Sequence, residues 1–146
     1  MTPAPPRLAG LDHLVLRASD LAAMTRFYCE VVGCTIDREQ PNLGLVHLRA
    51  GRSLIDLVSI DGPLGARGGA AAGPEGRNLD HLCLTLNAFD ETALRAWLAS
   101  KDIEILESGS RYGAEGQGTS LYIRDPEGNV VELKSPGDDP GLTPRG

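Results

Sequence analysis

The same strand-like motif occurs twice in this chain, and this repeat restricts the folds open to it more than any other feature. Residues 11–16 read LDHLVL and residues 79–84 read LDHLCL. A second pair of similar segments lies at the end of each half, where SLIDLVS at 53–59 corresponds to NVVELKS at 129–135. Two copies of one supersecondary unit are the simplest explanation of such a pattern.

Side chains alternate between the two faces of a β-strand, so each motif sorts its residues onto opposite sides. His13 lies on one face of its strand, and His81 and Cys83 share one face of theirs, while leucines fill the opposite faces. The carboxylates of Asp56 and Glu132 likewise stand opposite apolar neighbours. Four groups able to bind a metal therefore project from strands that otherwise resemble core.

Length and composition exclude several classes of protein. A chain of 146 residues suits one compact domain, or two small modules with a common core. A net charge of −6 and an aromatic content of 4% argue against nucleic-acid binding, which needs a basic patch. No apolar run approaches the roughly 20 residues of a membrane span, and the start lacks the apolar core of a signal peptide. The three cysteines form no CxxC pair, which favours reduced thiols and predicts a cytoplasmic protein.

Hydrophobic periodicity and turn signals predict the order βαβββ in each half. In the first half, Ser19 or Asp20 caps the helix and Gly33 ends it. In the second half, Asp90 caps a helix whose buried stripe includes Trp97. The predicted strands lie at 11–17, 34–38, 44–49, 53–60, 79–86, 103–107 and 119–124, with a glycine-rich loop at 108–118 and a last strand after the turn at 125–128.

These elements make an α+β protein of two tandem βαβββ modules. The predicted divisions are a flexible arm at 1–10, a first module at 11–61, a Gly/Ala-rich linker at 62–78, a second module at 79–135 and a disordered tail at 136–146.

Two imidazoles with one or two carboxylates form a ligand set for Zn²⁺, Ni²⁺, Mn²⁺ or Fe²⁺. A single histidine or carboxylate in a strand is more often an ordinary hydrogen-bonded side chain. Packing alone, however, gives no reason to repeat a histidine at the equivalent position of both halves. A buried carboxylate without a partner costs free energy, which a cation compensates. The repeat therefore predicts a divalent metal site.

Further motifs connect the chain to a known family. The two modules, the helix residues Asp20-Leu21 and Phe27-Tyr28 with Gly33, and the segment DPEGNVVEL at 125–133 resemble the vicinal oxygen chelate superfamily. That superfamily includes glyoxalase I, fosfomycin-resistance thiol transferases, extradiol dioxygenases, methylmalonyl-CoA epimerase and bleomycin-binding proteins. The resemblance covers about residues 11–135 and implies an open barrel-like sheet around a central cavity that holds a divalent metal.

The resemblance also implies roles for particular residues. His13, His81 and Glu132 correspond to the metal ligands, with Asp56 at the fourth position. The side chain of Asp56 is shorter than the glutamate of glyoxalase I, which predicts a contact through water or none. Many members share each cavity between two subunits, so a homodimer is expected.

Departures from individual members help to rank them. Glyoxalase I resembles this chain in ligand order and in an arginine four residues after the first ligand, here Arg17, which would bind an anionic group of the substrate. It often has asparagine where this chain has Ile60, which argues against glutathione specificity. Fosfomycin-resistance enzymes have threonine where this chain has Val15.

Extradiol dioxygenases resemble the segment LYIRDPEG at 121–128, including Tyr122. His13, His81 and Glu132 would serve equally well as ligands of non-haem iron. These dioxygenases also carry a histidine acid before that segment, where this chain has Glu115. A glutamate with an ordinary pKa of about 4.3 is a poor proton donor near neutral pH. The sequence therefore favours lyase or isomerase chemistry over oxygenation.

Other residues are expected around the substrate. Cys83 points toward the cavity if His81 does, and Arg111 and Tyr112 lie in the predicted glycine-rich loop, which could close over a substrate. Lys134 is expected to reach solvent at the end of the last strand.

The sequence thus predicts a metal-dependent lyase or isomerase of glyoxalase I type, acting on a small molecule with vicinal oxygens. The metal would act as a Lewis acid, and Glu132 or Asp56 would move a proton between adjacent carbons. One alternative is an Fe(II) extradiol-type dioxygenase. Another is a non-catalytic binding protein that sequesters a toxic metabolite to confer resistance.

Overall fold

Each half of the chain forms its own four-stranded mixed sheet. The computed structural model describes residues 1–137, so most of the predicted tail at 136–146 lies outside the described residues. The first sheet has the strand order β1-β4-β3-β2 and the second has the same order, β5-β8-β7-β6. In both, the first strand is parallel to the last and the other pairs are antiparallel. The predicted α+β class and the duplicated βαβββ plan are confirmed.

The first module follows the expected order closely. Its elements are β1 (His13–Ala18), α1 (Leu21–Phe27), β2 (Thr35–Gln40), β3 (Leu45–Ala50) and β4 (Ser53–Ser59). Asp20 caps α1, because its carboxylate accepts a hydrogen bond of 3.0 Å from the Ala23 amide. A π-helical turn, Tyr28–Val32, extends this helix as far as Gly33, whose φ of 95° suits glycine.

The second module repeats this plan with a shorter first strand. Its elements are β5 (Leu82–Thr85), α2 (Glu91–Ser100), β6 (Glu107–Gly113), β7 (Gly116–Arg124) and β8 (Val130–Lys134). Asp90 caps α2 through a hydrogen bond of 3.0 Å from the Ala93 amide. The Asp90 cap was therefore predicted correctly, and of the two residues proposed for the first helix, Ser19 and Asp20, it is Asp20 that caps it.

The glycine-rich segment at 108–118 is a hairpin and not the predicted loop. Arg111 pairs with Gly118 and Gly113 pairs with Gly116 across β6 and β7. The predicted strand at 103–107 was accordingly wrong, since β6 begins where that strand was expected to end. Glycine has a low strand propensity, so the glycine-rich composition of this segment predicted a loop. Antiparallel pairing between β6 and β7 stabilises the strands instead.

One hydrophobic core connects the two modules. The fully buried large apolar side chains are Met24, Tyr28, Leu48, Ile55, Leu57, Leu98, Leu121, Ile123 and Val131. Trp97 was predicted to be buried and is instead 45% exposed. Its indole N–H donates a hydrogen bond of 2.9 Å to the Val31 carbonyl, so the ring lies across the junction at the surface. Trp97 therefore links α2 to the turn after α1 without entering the core.

The turn before β8 fastens the second module to the first helix. Asp125 is buried and accepts a hydrogen bond of 2.8 Å from the Tyr28 hydroxyl. The carboxylate of Glu127 accepts hydrogen bonds from the amides of Ser19 at 2.6 Å and Asp20 at 3.1 Å. The two modules therefore pack side by side, and their sheets do not close into a barrel within one chain.

Candidate functional site

Each module places one histidine beside one buried carboxylate at equivalent positions. In the first half-site, His13 Nε2 lies 4.0 Å from Asp56 Oδ2. In the second half-site, His81 Nε2 lies 3.1 Å from Glu132 Oε2. Both carboxylates come from the last strand of their module, and each is only 5% exposed. The sequence repeat therefore corresponds to a repeat of chemical groups in space.

An aspartate orients each of the two imidazoles. His13 Nδ1 donates to Asp12 and His81 Nδ1 donates to Asp80, both at 2.6 Å. These contacts leave each Nε2 facing its own carboxylate. The hydrogen bond to Asp12 raises the pKa of His13, desolvation opposes it, and the charge of Asp56 adds to the rise. Both aspartates belong to the repeated LDHL motif, so their role could have been predicted from the sequence. The site prediction nevertheless omitted both residues.

The two carboxylates have different partners on their second oxygen. Glu132 Oε1 accepts a hydrogen bond of 2.5 Å from the fully buried hydroxyl of Ser120. Asp56 Oδ1 instead lies 2.8 Å from Nδ1 of His47. His47 and Ser120 were both missed by the sequence analysis, because only the strand register shows which residues lie beside a given carboxylate.

Comparison with known proteins places this arrangement in a family. A sequence profile described as the Glyoxalase/Bleomycin resistance protein/Dioxygenase superfamily matches residues 10–133. The chain belongs to this superfamily. The resemblance drawn from the repeated motifs is therefore confirmed.

Relatives of this superfamily member differ in what they are known to do. Virulence protein STM3117 of Salmonella typhimurium is 31% identical over 125 residues, which cover 84% of this chain and 81% of that protein. Its crystal structure superposes with a TM-score of 0.71 at 26% identity, covering 89% of this chain and 98% of that one. Biphenyl-2,3-diol 1,2-dioxygenase 3 of Rhodococcus globerulus is 31% identical over 137 residues, 88% of this chain but 63% of that enzyme. This chain thus spans less than two thirds of the dioxygenase.

A lyase is also similar in structure to this superfamily member. Lactoylglutathione lyase from Agrobacterium tumefaciens superposes with a TM-score of 0.62 at 27% identity, covering 90% of this chain and 96% of that one. The superfamily therefore includes both a lyase and a dioxygenase, and membership alone leaves the reaction of this member open.

The donor groups of this superfamily member suit a divalent cation. Nδ1 of His81 contacts Asp80, so Nε2 is the ring nitrogen that faces an oxygen of Glu132. A divalent cation between these two atoms would bind both, because a deprotonated imidazole nitrogen and a carboxylate oxygen each offer a lone pair. Each half-site nevertheless offers only one imidazole and one carboxylate, fewer than the three protein ligands of catalytic zinc sites. Within residues 1–137, no group of three or more His, Cys, Asp or Glu side chains could hold a metal. The residues therefore fit a metal only if both half-sites contribute to it.

The second half-site opens into a cavity of about 290 Å³ whose lining includes His81, Glu107 and Tyr122. The His81 and Tyr122 rings pack edge to face, with their centroids 5.7 Å apart. The Arg111 guanidinium lies over the same Tyr122 ring at 5.5 Å. Burial raises the pKa of Tyr122, and the hydrogen bond with Arg111 opposes that rise. The structure thus brings Tyr122 and Arg111 together beside this half-site.

Cys83 also lies beside Glu132, its cross-strand neighbour on β8. Cys83 is exposed as a residue, but desolvation of its thiol beside the sheet raises its pKa to about 12, and the charge of Glu132 contributes to the rise. A thiol with so high a pKa is protonated near neutral pH and is a weak nucleophile.

The remaining predicted residues lie away from the half-site carboxylates. The Arg17 guanidinium donates to the backbone carbonyls of Gly65 at 2.7 Å, Ala70 at 3.0 Å and Gly69. Tyr112 is 81% exposed, and strand alternation puts it on the face of β6 opposite Arg111. The substrate-binding roles of these residues stay predictions.

Lys134 was expected to reach solvent and is instead only 3% exposed. Its ammonium donates to the Gly116 carbonyl at 3.0 Å. An added Cβ at Gly118 would lie 2.8 Å from this ammonium, so the glycine-rich hairpin leaves room for the lysine to fold over the sheet.

A second cavity, of about 330 Å³, lies between β1 and the linker. Its lining includes Val15, Arg17 and Arg77 and contains neither half-site histidine. Neither of these two cavities is lined by residues of both half-sites. None of the helices within residues 1–137 is both long enough and apolar enough to span a membrane.

Proposed function

We propose that the protein is a metal-dependent lyase or isomerase of glyoxalase I type that acts on a small molecule with two vicinal oxygens. One observation carries this proposal. The two half-sites pair an aspartate-oriented histidine with a buried carboxylate at equivalent positions, and in the second they are 3.1 Å apart. The similarity to a lactoylglutathione lyase supports the choice of reaction class.

The proposal includes a homodimer with shared sites. One half-site supplies too few ligands, and within residues 1–137 of one chain the two half-sites do not combine into a cluster of three or more ligands. In our proposal, His13 of one subunit therefore meets His81 and Glu132 of the partner subunit. A two-fold axis would create two such sites, because an isologous interface uses every contact twice.

A divalent Zn, Ni, Mn or Fe ion held by these residues would supply a Lewis acid for the vicinal oxygens of the substrate. Glu132 would then be the carboxylate that moves the proton. Its Oε1 is held by Ser120, which leaves Oε2 on the side of His81. Tyr122 lines the same cavity and has a hydroxyl able to hydrogen-bond a substrate oxygen.

The test combines metal content with turnover. Protein purified without chelators is analysed for bound metals and then offered the hemithioacetal of methylglyoxal and glutathione, together with hemithioacetals of other thiols. We expect about one ion per subunit and isomerisation of at least one hemithioacetal. Glu132→Gln should lose the metal and at least 100-fold of the rate, since general acid–base catalysis contributes about that much or more.

The matched control is Glu104→Gln, which neutralises an exposed carboxylate. It should keep both metal and rate. Wild-type protein that folds but takes up no divalent metal would refute the proposal.

An Fe(II) extradiol-type dioxygenase is the second candidate. Tyr122 against the His81 ring and the 31% identity to a biphenyl-diol dioxygenase favour it. Glu115 weakens it, because this residue lies in the exposed turn between β6 and β7, where a histidine acid is expected. Anaerobic loading with Fe(II), followed by catechols in air, decides between the two. Rapid oxygen uptake with a yellow product, abolished by Tyr122→Phe, would favour the dioxygenase.

A further inference from the structure

We infer that His47 keeps Asp56 away from the metal, so that the chain provides three metal ligands, His13, His81 and Glu132, and not four. This inference rests on the proposed metal site and concerns how that site is completed. His47 belongs to neither repeated motif, and the equivalent position of the second module holds a tyrosine and not a histidine. In the strand register it stands directly opposite Asp56, whereas Tyr122 stands opposite Glu132.

The first observation is the competition for the Asp56 carboxylate. His47 Nδ1 lies 2.8 Å from Asp56 Oδ1, while His13 Nε2 lies 4.0 Å from Asp56 Oδ2. Two donors bound about 2.1 Å from the same ion lie about 3.0–3.4 Å apart, depending on the coordination geometry. The separation of 3.1 Å between His81 Nε2 and Glu132 Oε2 fits this range. The separation in the first half-site is too wide.

The second observation is the partner on the far side of the His47 ring. Gln40 Nε2 lies 3.0 Å from His47 Nε2. An amide nitrogen can only donate, so Nε2 of His47 accepts and its Nδ1 carries the proton. His47 therefore donates to Asp56, and Gln40 fixes this arrangement. The side chain of His47 is 19% exposed, so solvent competes weakly for the contact.

The third observation is the contrast with Glu132. Its Oε1 accepts a hydrogen bond from the neutral hydroxyl of Ser120, and its Oε2 stays on the side of His81. Asp56 has a shorter side chain and is held by the imidazole across the strand pair. The two half-sites are thus equivalent in their histidines but not in their carboxylates. Three protein ligands leave additional coordination positions for a substrate that chelates through two oxygens.

A double-mutant cycle tests the role of His47. Cobalt(II) is titrated into metal-free wild type, Asp56→Asn, His47→Ala and the double variant, and its visible absorption reports coordination number. In the wild-type background, Asp56→Asn should change the Kd for cobalt by less than threefold. In the His47→Ala background the same change should weaken binding at least tenfold, because the freed Asp56 has become a ligand. His47→Ala alone should weaken the visible bands as the coordination number rises.

Two control variants guard the interpretation. In His47→Asn the amide nitrogen can replace Nδ1 as the donor to Asp56, so this variant should keep the wild-type spectrum. Asp37→Asn removes an exposed carboxylate of β2 that pairs with Arg49, and it should leave cobalt binding unchanged. Thermal unfolding of each metal-free variant identifies any loss of fold.

The outcomes separate this inference from the proposed function. A tenfold or greater loss of cobalt affinity in Asp56→Asn alone, with an altered spectrum, would show that Asp56 is a ligand and overturn the inference while keeping the metal site. Additive effects in the cycle would overturn it as well. Wild-type protein that binds no cobalt, or binds it independently of Glu132, would remove the proposed site and the inference together.

Discussion

The hydroxyl of Tyr28 donates a hydrogen bond of 2.8 Å to Asp125, which joins the end of the first helix to the turn before the last strand. Asp125 also accepts hydrogen bonds from the amides of Glu127 and Asn129 and from the Asn129 side chain. The DPEGN segment used to relate this chain to its family is therefore a structural connection between the two modules. It lies outside the half-sites and holds the modules in a fixed relation.

We expect Tyr28→Phe to lower the free energy of unfolding by about 1–2 kcal/mol. The buried carboxylate of Asp125 loses one hydrogen-bond partner but keeps three others. The loss of unfolding free energy should therefore lie near the lower end of the range for a buried hydrogen bond. Urea denaturation of the metal-free protein measures it. Tyr112→Phe removes an exposed hydroxyl and should change stability by less than about 0.5 kcal/mol. Equal effects in the two variants would contradict this role of Tyr28.

A second prediction concerns the start of the first helix. The Glu127 carboxylate accepts hydrogen bonds from the amides of Ser19 and Asp20, where the positive end of the helix dipole favours an anion. Glu127→Ala should destabilise the protein by about 1 kcal/mol, while Glu104→Ala, at an exposed position, serves as the control. Hydrogen exchange adds a local measurement. Glu127→Ala should accelerate amide exchange more in α1 than in α2. An equal acceleration in both helices would indicate a general loss of stability instead.

The thiols should react slowly at neutral pH. Burial raises the pKa of Cys83 to about 12 and that of Cys34 to about 11, and it also raises the pKa of Cys29. Because only the thiolate reacts, its fraction and the alkylation rate should climb about tenfold per pH unit and keep rising above pH 9. Mass spectrometry after iodoacetamide treatment, compared with protein unfolded in urea, measures this for each cysteine. Labelling of Cys83 at the unfolded rate at pH 8 would contradict the prediction.

The sequence was most informative where local pattern decides structure. The LDHL repeat located both half-site histidines, and Asp20, Asp90 and Gly33 set the helix limits because capping is a local interaction. The same repeat indicated a duplicated fold before any contact was known. Local signals therefore predicted the architecture and the strands at or beside all four half-site residues.

Features that depend on register could not be predicted in this way. His47 lies opposite Asp56 only because β3 and β4 pair in one of several registers. The hairpin at 107–124 contains four glycines on one face, and its stability comes from cross-strand pairing that composition does not report. Trp97 has the helical spacing of a core residue, yet the Val31 carbonyl holds its indole at the surface. In each case a tertiary contact outweighed the local pattern.

The shared site itself gives the last prediction. If His13 of one subunit meets His81 and Glu132 of the partner subunit, mixing His13→Ala with His81→Ala protein should restore metal binding. A heterodimer then has one intact site and one that lacks both histidines, so full exchange recovers about a quarter of the wild-type sites. One variant is labelled with ¹⁵N, because the two substitutions change the mass equally, and exchange is then followed by native mass spectrometry and the metal by elemental analysis. Neither variant alone should bind at this level. Verified exchange without recovered metal would show that each site is completed within one chain.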